Sequence, residues 1–215
     1  MNREEGLGII RQTGVIAIMR ATSSEQLLRA ADAIRAGGVC AIEVTMTTPG
    51  ALAVIEQAAS RRDQGVMFGA GTVLDAESAR AAILAGAQFI VAPTFDRESV
   101  ALCRRYDIPV LPGAYTPTEI LAAKVSGADM VKVFPADIGG PALIKALKAP
   151  LPQIDLVPVG GVHAGNAAEF MRAGATAIGV GSALVSQAVL ESGDWAALTE
   201  RARQLVEEVA RGRAR

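Results

Sequence analysis

The chain has 215 residues, a net charge of −1, a hydrophobic fraction of 51% and only 4% aromatics, the profile of one α/β or barrel domain with an ample aliphatic core. So even a charge balance leaves no footprint for nucleic acid or a membrane surface, and no apolar run nears the roughly 18 residues of a membrane span. Cys40 and Cys103 make neither a disulfide framework nor a metal-ligand spacing, and the opening lacks the pattern of a secretory leader. The expectation is a cytoplasmic globule, residues 1–215 as one domain.

In chain order, an amphipathic segment ahead of Gly14 is predicted as a helix that closes the floor of the domain. "GVIAIMR" is the first strand-like run and ends on Arg20. Thr22 with Glu25 fits a capping box opening a helix over Glu25–Ala36. The second strand lies in "AGGVCAIEVT", where Glu43 shares its side with Ala41 and Thr45. "VMFGAGTV" is the third and ends near Thr72, followed by a helix over Asp75–Ala85. The fourth, in "AGAQFIVAP", ends at Pro93, and the fifth is "PVLPGAY". Thr116 with Glu119, and Pro117 at the first helical position, mark the next helix. The sixth strand, in "SGADMVKVF", carries Lys132 and Phe134. "DLVPVGG" ends on Gly160-Gly161, and "AGATAIGVG" leads to Gly181-Ser182. The last helix starts at about Asp194 and ends "RGRAR"; its arginines are expected to complement the helix dipole and then fray into solvent.

Gly37, Gly86, Gly127 and Gly174 recur about 45 residues apart. Each follows an Ala-rich helical stretch, where a left-handed residue is expected. Eight strands alternating with helices predict a (β/α)8 TIM barrel with a short N-terminal helix. A doubly wound open sheet is the competitor, disfavoured because no G-x-G-x-x-G follows the first strand.

In such a barrel the active site forms at the C-terminal ends of the strands. Arg20, Glu43, Thr72, Pro93, Lys132, Phe134, Gly160, Gly161, Gly181 and Ser182 are the residues so placed. Lys132 stands out because lysine is almost never buried unless something pairs with it or uses it. Lys124, Lys145 and Lys148 fall in helical or loop stretches. One reading is an ion pair with Glu43. The other is an amine kept neutral by burial, able to attack a ketone and form a Schiff base, with Glu43 moving the protons. The glycines ending the last two strands suit a phosphate site, since backbone N–H groups there approach an anion closely. His163, in "GGVHAGN", reads as a surface-loop histidine outside the chemistry.

"AIEVTMTTPGA", "GAGTVLDAES", "KVFPADIGGPALIKALKAPLP", "VPVGGVHAGN" and "GVGSALV" closely resemble 2-keto-3-deoxy-6-phosphogluconate (KDPG) aldolases. The wider group includes 2-keto-4-hydroxyglutarate (KHG) and 2-keto-3-deoxy-6-phosphogalactonate aldolases. The similarity runs from about Gly14 to Val185. It implies a homotrimer of (β/α)8 barrels acting on a small 2-keto acid with no metal and no cofactor. It implies Lys132 as the imine-forming lysine, Glu43 as the general acid/base, Thr72 on the pyruvyl carboxylate and Phe134 beside the lysine. Gly161 and Ser182 match positions that bind the distal phosphate. Many gluconate-type members carry an arginine where this chain has Thr47, whereas galactonate-type members use one at the end of strand one, matching Arg20. A non-imine phosphosugar isomerase or epimerase and a silent sugar-phosphate-binding barrel are the rival readings.

Overall fold

The computed structural model describes residues 1–20, 23–60 and 65–214. Most helices begin where the sequence supplies an oxygen or ring acceptor for the orphan N–H groups of a first turn; the two that follow Gly50 and Gly139 have no side-chain cap. Asn2 and Glu5 cap each other at α1 (Arg3–Thr13). Ser23 accepts from Gln26 ahead of α2 (Ser24–Ala36); Thr22, the expected cap, lies outside the described residues. After α3 (Ala51–Ala59), Asp75 caps α4 (Ala76–Leu84) and Asp96 caps α5 (Arg97–Arg105). Thr116, Pro117 and Glu119 form the expected box at α6 (Pro117–Val125). The remaining helices are α7 (Gly140–Lys148), α8 (Ala164–Arg172), α9 (Gln187–Ser192) and α10 (Trp195–Arg213).

The strands are β1 (Val15–Met19), β2 (Ala41–Thr45), β3 (Met67–Gly71), β4 (Ile90–Val91), β5 (Val110–Leu111), β6 (Gly113–Ala114), β7 (Val131–Val133), β8 (Leu156–Pro158) and β9 (Ile178–Val180). All pairings are parallel: one sheet runs β5-β4-β3-β2-β1-β9 and another β6-β7-β8, with an isolated bridge between Val159 and Gly179. The fifth predicted strand is thus two pieces parted by Pro112, which has no N–H to give the ladder, although its carbonyl accepts from Lys132 N at 2.9 Å. Consecutive neighbours that bring β9 beside β1 do not fit a doubly wound sheet, whose order reverses at a switch point. The result is a curled, TIM-barrel-like parallel sheet.

Strand residues alternate between two cores. Those facing outward, such as Ile42, Val44, Val131 and Val133, pack against the helices. Those facing inward, Ile16, Ala41, Met67, Phe89, Met130 and Ala177 near the strand starts, pack with Leu7 and Ile10 of α1. The N-terminal helix therefore closes the floor, as expected. It is latched there: Arg3 pairs with the buried Asp129 just before β7, and Arg11 reaches Asp155 at 3.1 Å just before β8.

Two expectations are corrected. Gly86, Gly127 and Gly174 have positive φ, but Gly37 has φ −83° and Gly38 takes the positive value of 95°. Gly37 serves close packing instead, since a Cβ there would lie 2.5 Å from the Thr199 carbonyl of α10. Nor does Arg213 fray: it donates to the carbonyls of Arg11, Gln12 and Thr176, holding the end of α10 to the end of α1 and the start of β9. Among the described residues no helix is long and apolar enough to cross a membrane.

Candidate active site

The register sets which inward side chains share a level. Glu43 on β2 lies between Ile18 of β1 and Gly69 of β3, and Lys132 on β7 lies between Gly113 of β6 and Val157 of β8. Both charged residues follow the inward parity of their strands, one step above Ala41 and Met130. Glu43 is 2% exposed and Lys132 5%. Gly71 makes room for the carboxylate: a Cβ there would sit 1.7 Å from Glu43 Oε1. Lys132 Nζ stands 5.1 Å from the centre of the Phe134 ring.

Glu43 and Lys132 sense each other's charge, yet among the described residues no nitrogen–oxygen contact within 4.0 Å joins them. Burial dominates each. It pushes the Glu43 carboxyl up, against the pull of the Lys132 and Arg20 charges. It pushes the Lys132 amine down, with Glu43 opposing and Arg20 assisting. Both groups are thus moved toward their neutral forms, which are an attacking amine and a proton-donating acid.

Above them opens a cavity of about 510 Å³. Every residue singled out at the strand ends lines it: Arg20 beyond β1, Thr72 beyond β3, Pro93 beyond β4, Phe134 beyond β7, Gly160 and Gly161 beyond β8, and Gly181 and Ser182 beyond β9, together with Glu43 and Lys132. Thr72 has φ 60°, a left-handed conformation that is an outlier for a β-branched residue, and such strain tends to collect at functional sites. Gly160 and Gly161 also have positive φ, at 101° and 68°. Thr47 lines the cavity without offering a cation; its hydroxyl lies 3.3 Å from Thr45 Oγ1, which in turn is 3.1 Å from Thr48 Oγ1. Lys124 lies in α6, and Lys145 and Lys148 in α7, so Lys132 is the lysine among the described cavity residues.

Three residues at or beside the cavity were not singled out as site residues from the sequence. Gly71 matters only through its neighbour strand, and Thr45 only through the hydroxyl cluster. His163, read as a surface-loop histidine, is indeed exposed at the N-cap of α8, and it also lines the cavity. Its place two residues after a glycine pair ending a strand was the available signal.

The same chain-wide pattern is found in known proteins. A family model described as KDPG and KHG aldolase matches residues 8–201. The 2-dehydro-3-deoxy-phosphogluconate aldolase of Pseudomonas aeruginosa is 34% identical over 95% of this chain and 93% of its own. The 2-dehydro-3-deoxy-6-phosphogalactonate aldolase of Escherichia coli is 36% identical over 79% of this chain and 83% of its own. Among solved structures, a KDPG aldolase from Legionella pneumophila with pyruvate captured as a covalent carbinolamine superposes with a TM-score of 0.85 at 28% identity, covering 92% of this chain and 96% of that one. The match spans most of the sequence and coincides with the strands that carry the buried lysine and glutamate, and the chain belongs to the KDPG and KHG aldolase family.

Proposed function

We propose that this chain is a class I aldolase that cleaves 2-keto-3-deoxy-6-phosphogluconate to pyruvate and glyceraldehyde 3-phosphate, and 4-hydroxy-2-oxoglutarate to pyruvate and glyoxylate. The observation that carries this reading is a lysine and a glutamate, both more than nine-tenths buried, that face one cavity without closing into an ion pair. A purely structural pair of buried charges needs close contact to offset desolvation. These two are not in such contact, and both open onto the cavity.

In the proposed reaction the neutral Lys132 amine attacks the C2 ketone to give a carbinolamine. Glu43 donates a proton to its hydroxyl, which leaves as water, and the imine forms. The imine draws in the C3–C4 electron pair while Glu43 takes the C4 hydroxyl proton, so the aldehyde departs and an enamine remains. Protonation at C3 and return of water to C2 release pyruvate and the free amine. Arg20 and Thr72 hold the carboxylate, which fixes the reacting geometry. Phe134 and Pro93 wall the reacting carbons, and Gly160, Gly161, Gly181 and Ser182 receive the distal phosphate. The supporting scaffold is a single (β/α)8 barrel spanning 1–215, with β5 and β6 as two halves of one strand and the Val159–Gly179 bridge joining β8 to β9.

A second reading has its own support. Arg20 lines the cavity while Thr47 supplies no cation there, an arrangement that resembles the 2-keto-3-deoxy-6-phosphogalactonate aldolases. Measuring kcat/KM on the gluconate, galactonate and hydroxyglutarate substrates ranks the alternatives.

Borohydride reduction in the presence of pyruvate tests the core of the proposal. The expected result is inactivation with a pyruvate-derived mass on the peptide containing Lys132, and Lys132→Ala losing at least about 1000-fold in kcat. An adduct on Lys124, Lys145 or Lys148, or turnover with no adduct at all, overturns it. The second outcome is the one a non-imine isomerase or epimerase would give.

A further inference from the structure

His163 occupies a position where Ser, Thr, Asn and Asp are the usual residues, the N-cap of a helix. It does the capping with its ring: Nδ1 accepts from the Gly165 N–H at 3.1 Å. An Nδ1 that accepts carries no proton, so in the neutral ring the proton sits on Nε2 and makes that nitrogen the donor. The backbone around it is held in place. Asn166 Oδ1 accepts from the His163 N–H at 2.9 Å, and Asn166 Nδ2 donates to the Gly161 carbonyl at 2.9 Å. One web thus fixes Gly161, the imidazole and the first turn of α8 relative to one another.

The location gives the donor its role. Lys132 is level with Val157 inside β8, whereas His163 stands beyond the end of that strand on the rim of the same cavity. A 2-keto acid attached at Lys132 and extending toward this rim brings its far end to His163, Gly161 and Ser182. The N–H groups of Gly161 and Ser182 donate to no acceptor among the described residues. Glu43 is the one acidic residue among the described lining residues, and it lies at the Lys132 end. The carboxylate nearest this rim is that of Asp137, packed against the glycine pair: a Cβ on Gly161 would lie 3.6 Å from its Cγ and one on Gly160 3.6 Å from its Oδ1. It does not line the cavity, where the rim gathers donors.

We infer that His163 is a specificity-determining residue, whose Nε2–H, locked by its capping Nδ1, favours substrates bearing a phosphate at the end remote from the ketone. This rests on the aldolase reading, and it adds a side-chain donor beside the backbone of Gly161 and Ser182 and the Ser182 hydroxyl. Hydrogen bonds to a charged acceptor are roughly twice as strong as neutral ones, so its removal should show in the phosphorylated substrate and not in its unphosphorylated counterpart.

The test runs in the condensation direction, where pyruvate is joined to glyceraldehyde 3-phosphate or to glyceraldehyde, so the two acceptors differ only by the phosphate. His163→Ser and His163→Asn both keep an N-cap acceptor while removing the imidazole donor. The expected result is that the ratio of kcat/KM for the phosphorylated over the unphosphorylated aldehyde falls about 10-fold in both variants, mainly through KM. A role confined to capping would be kept by both variants, leaving stability and that ratio unmoved. An unchanged ratio, or equal losses on both aldehydes, overturns the inference. Borohydride trapping of pyruvate at Lys132 in the unaltered protein separates the two levels: trapping with an unchanged ratio sinks the role of His163 alone, whereas no trapping sinks the aldolase reading and this inference with it.

Discussion

Gly69 and Gly71 stand two residues apart on the inner face of β3, and each lacks a side chain for a different neighbour. A Cβ on Gly69 would fall 2.5 Å from the ring of Phe89, whereas one on Gly71 would fall 1.7 Å from Glu43 Oε1. Below this divide the interior is filled by Phe89, Met67, Met130, Ile16 and the two side chains sent up from α1. Above it the same strands present an acid, an amine, hydroxyls and open volume. One half removes apolar area from water; the other keeps two ionisable groups dry, which opposes folding. The lower half supplies stability that the upper half draws upon, and substitutions in each should move different observables.

The largest expected effect is in the lower half. Phe89 is fully buried, and Phe89→Ala should cost about 3–5 kcal/mol of folding stability, read by chemical denaturation, while kcat of the remaining folded protein stays within a few-fold. A loss of turnover without a loss of stability would dissolve the division. Next comes Glu43→Gln, which keeps the shape but ends proton transfer, for a fall of about 100-fold or more in kcat. Borohydride trapping at Lys132 should be slowed and still occur; near-normal cleavage would show that another group carries the protons.

Gly71→Ala sharpens the comparison from the other direction. The added methyl must displace the Glu43 carboxylate, so turnover should fall at least about 10-fold through misplacement of a catalytic group, with Glu43 chemically intact. Pyruvate trapping compared with full cleavage locates the damage: loss of both steps equally would point to a collapsed cavity instead of a moved carboxylate.

The smallest effect expected is a shift in pH dependence. Burial lowers the Lys132 pKa from 10.5, assisted by Arg20 and opposed by Glu43. The rate of pyruvate trapping should therefore rise with pH and reach half its plateau below 10.5. The linkage has the matching sign. Between the folded and unfolded pKa values the unfolded chain binds more protons, so this residue's contribution to stability improves as pH rises through that window. Lys132→Met should accordingly stabilise the protein most below the window, and the advantage should shrink toward pH 10.5. An advantage that grows with pH would mean that the lysine is held charged.

Much of the fold and of the site is legible in the sequence. Lys132 and Glu43 stand out as charges inside apolar strands, and alternation within "AIEVT" and "DMVKVF" gives their inward direction. Caps at Asp75 and Thr116 are readable because an N-cap is a local matter of a few residues. What escapes depends on partners distant in sequence. Gly37 and Gly38 are alike in sequence, and only the approach of α10 decides which of them must be flat and which must turn. Pro112 divides a strand because of what pairs on either side. His163 looks like any loop histidine until α8 and the glycine pair place it on the rim. Arg213 reads as a solvated tail until the carbonyls of Arg11, Gln12 and Thr176 are brought beneath it.

Arg3 and Arg213 both bind groups on the floor, at the side opposite the mouth. A tether joined near either residue leaves the opening turned away from whatever the protein is fastened to. Beads loaded in this way present the cavity to bulk solution, and bound turnover per molecule should match that of free protein. Coupling through a group placed at the exposed Ile138, four residues beyond Phe134 on the rim, would instead put the support in the path of the substrate. The floor is the natural handle of this molecule.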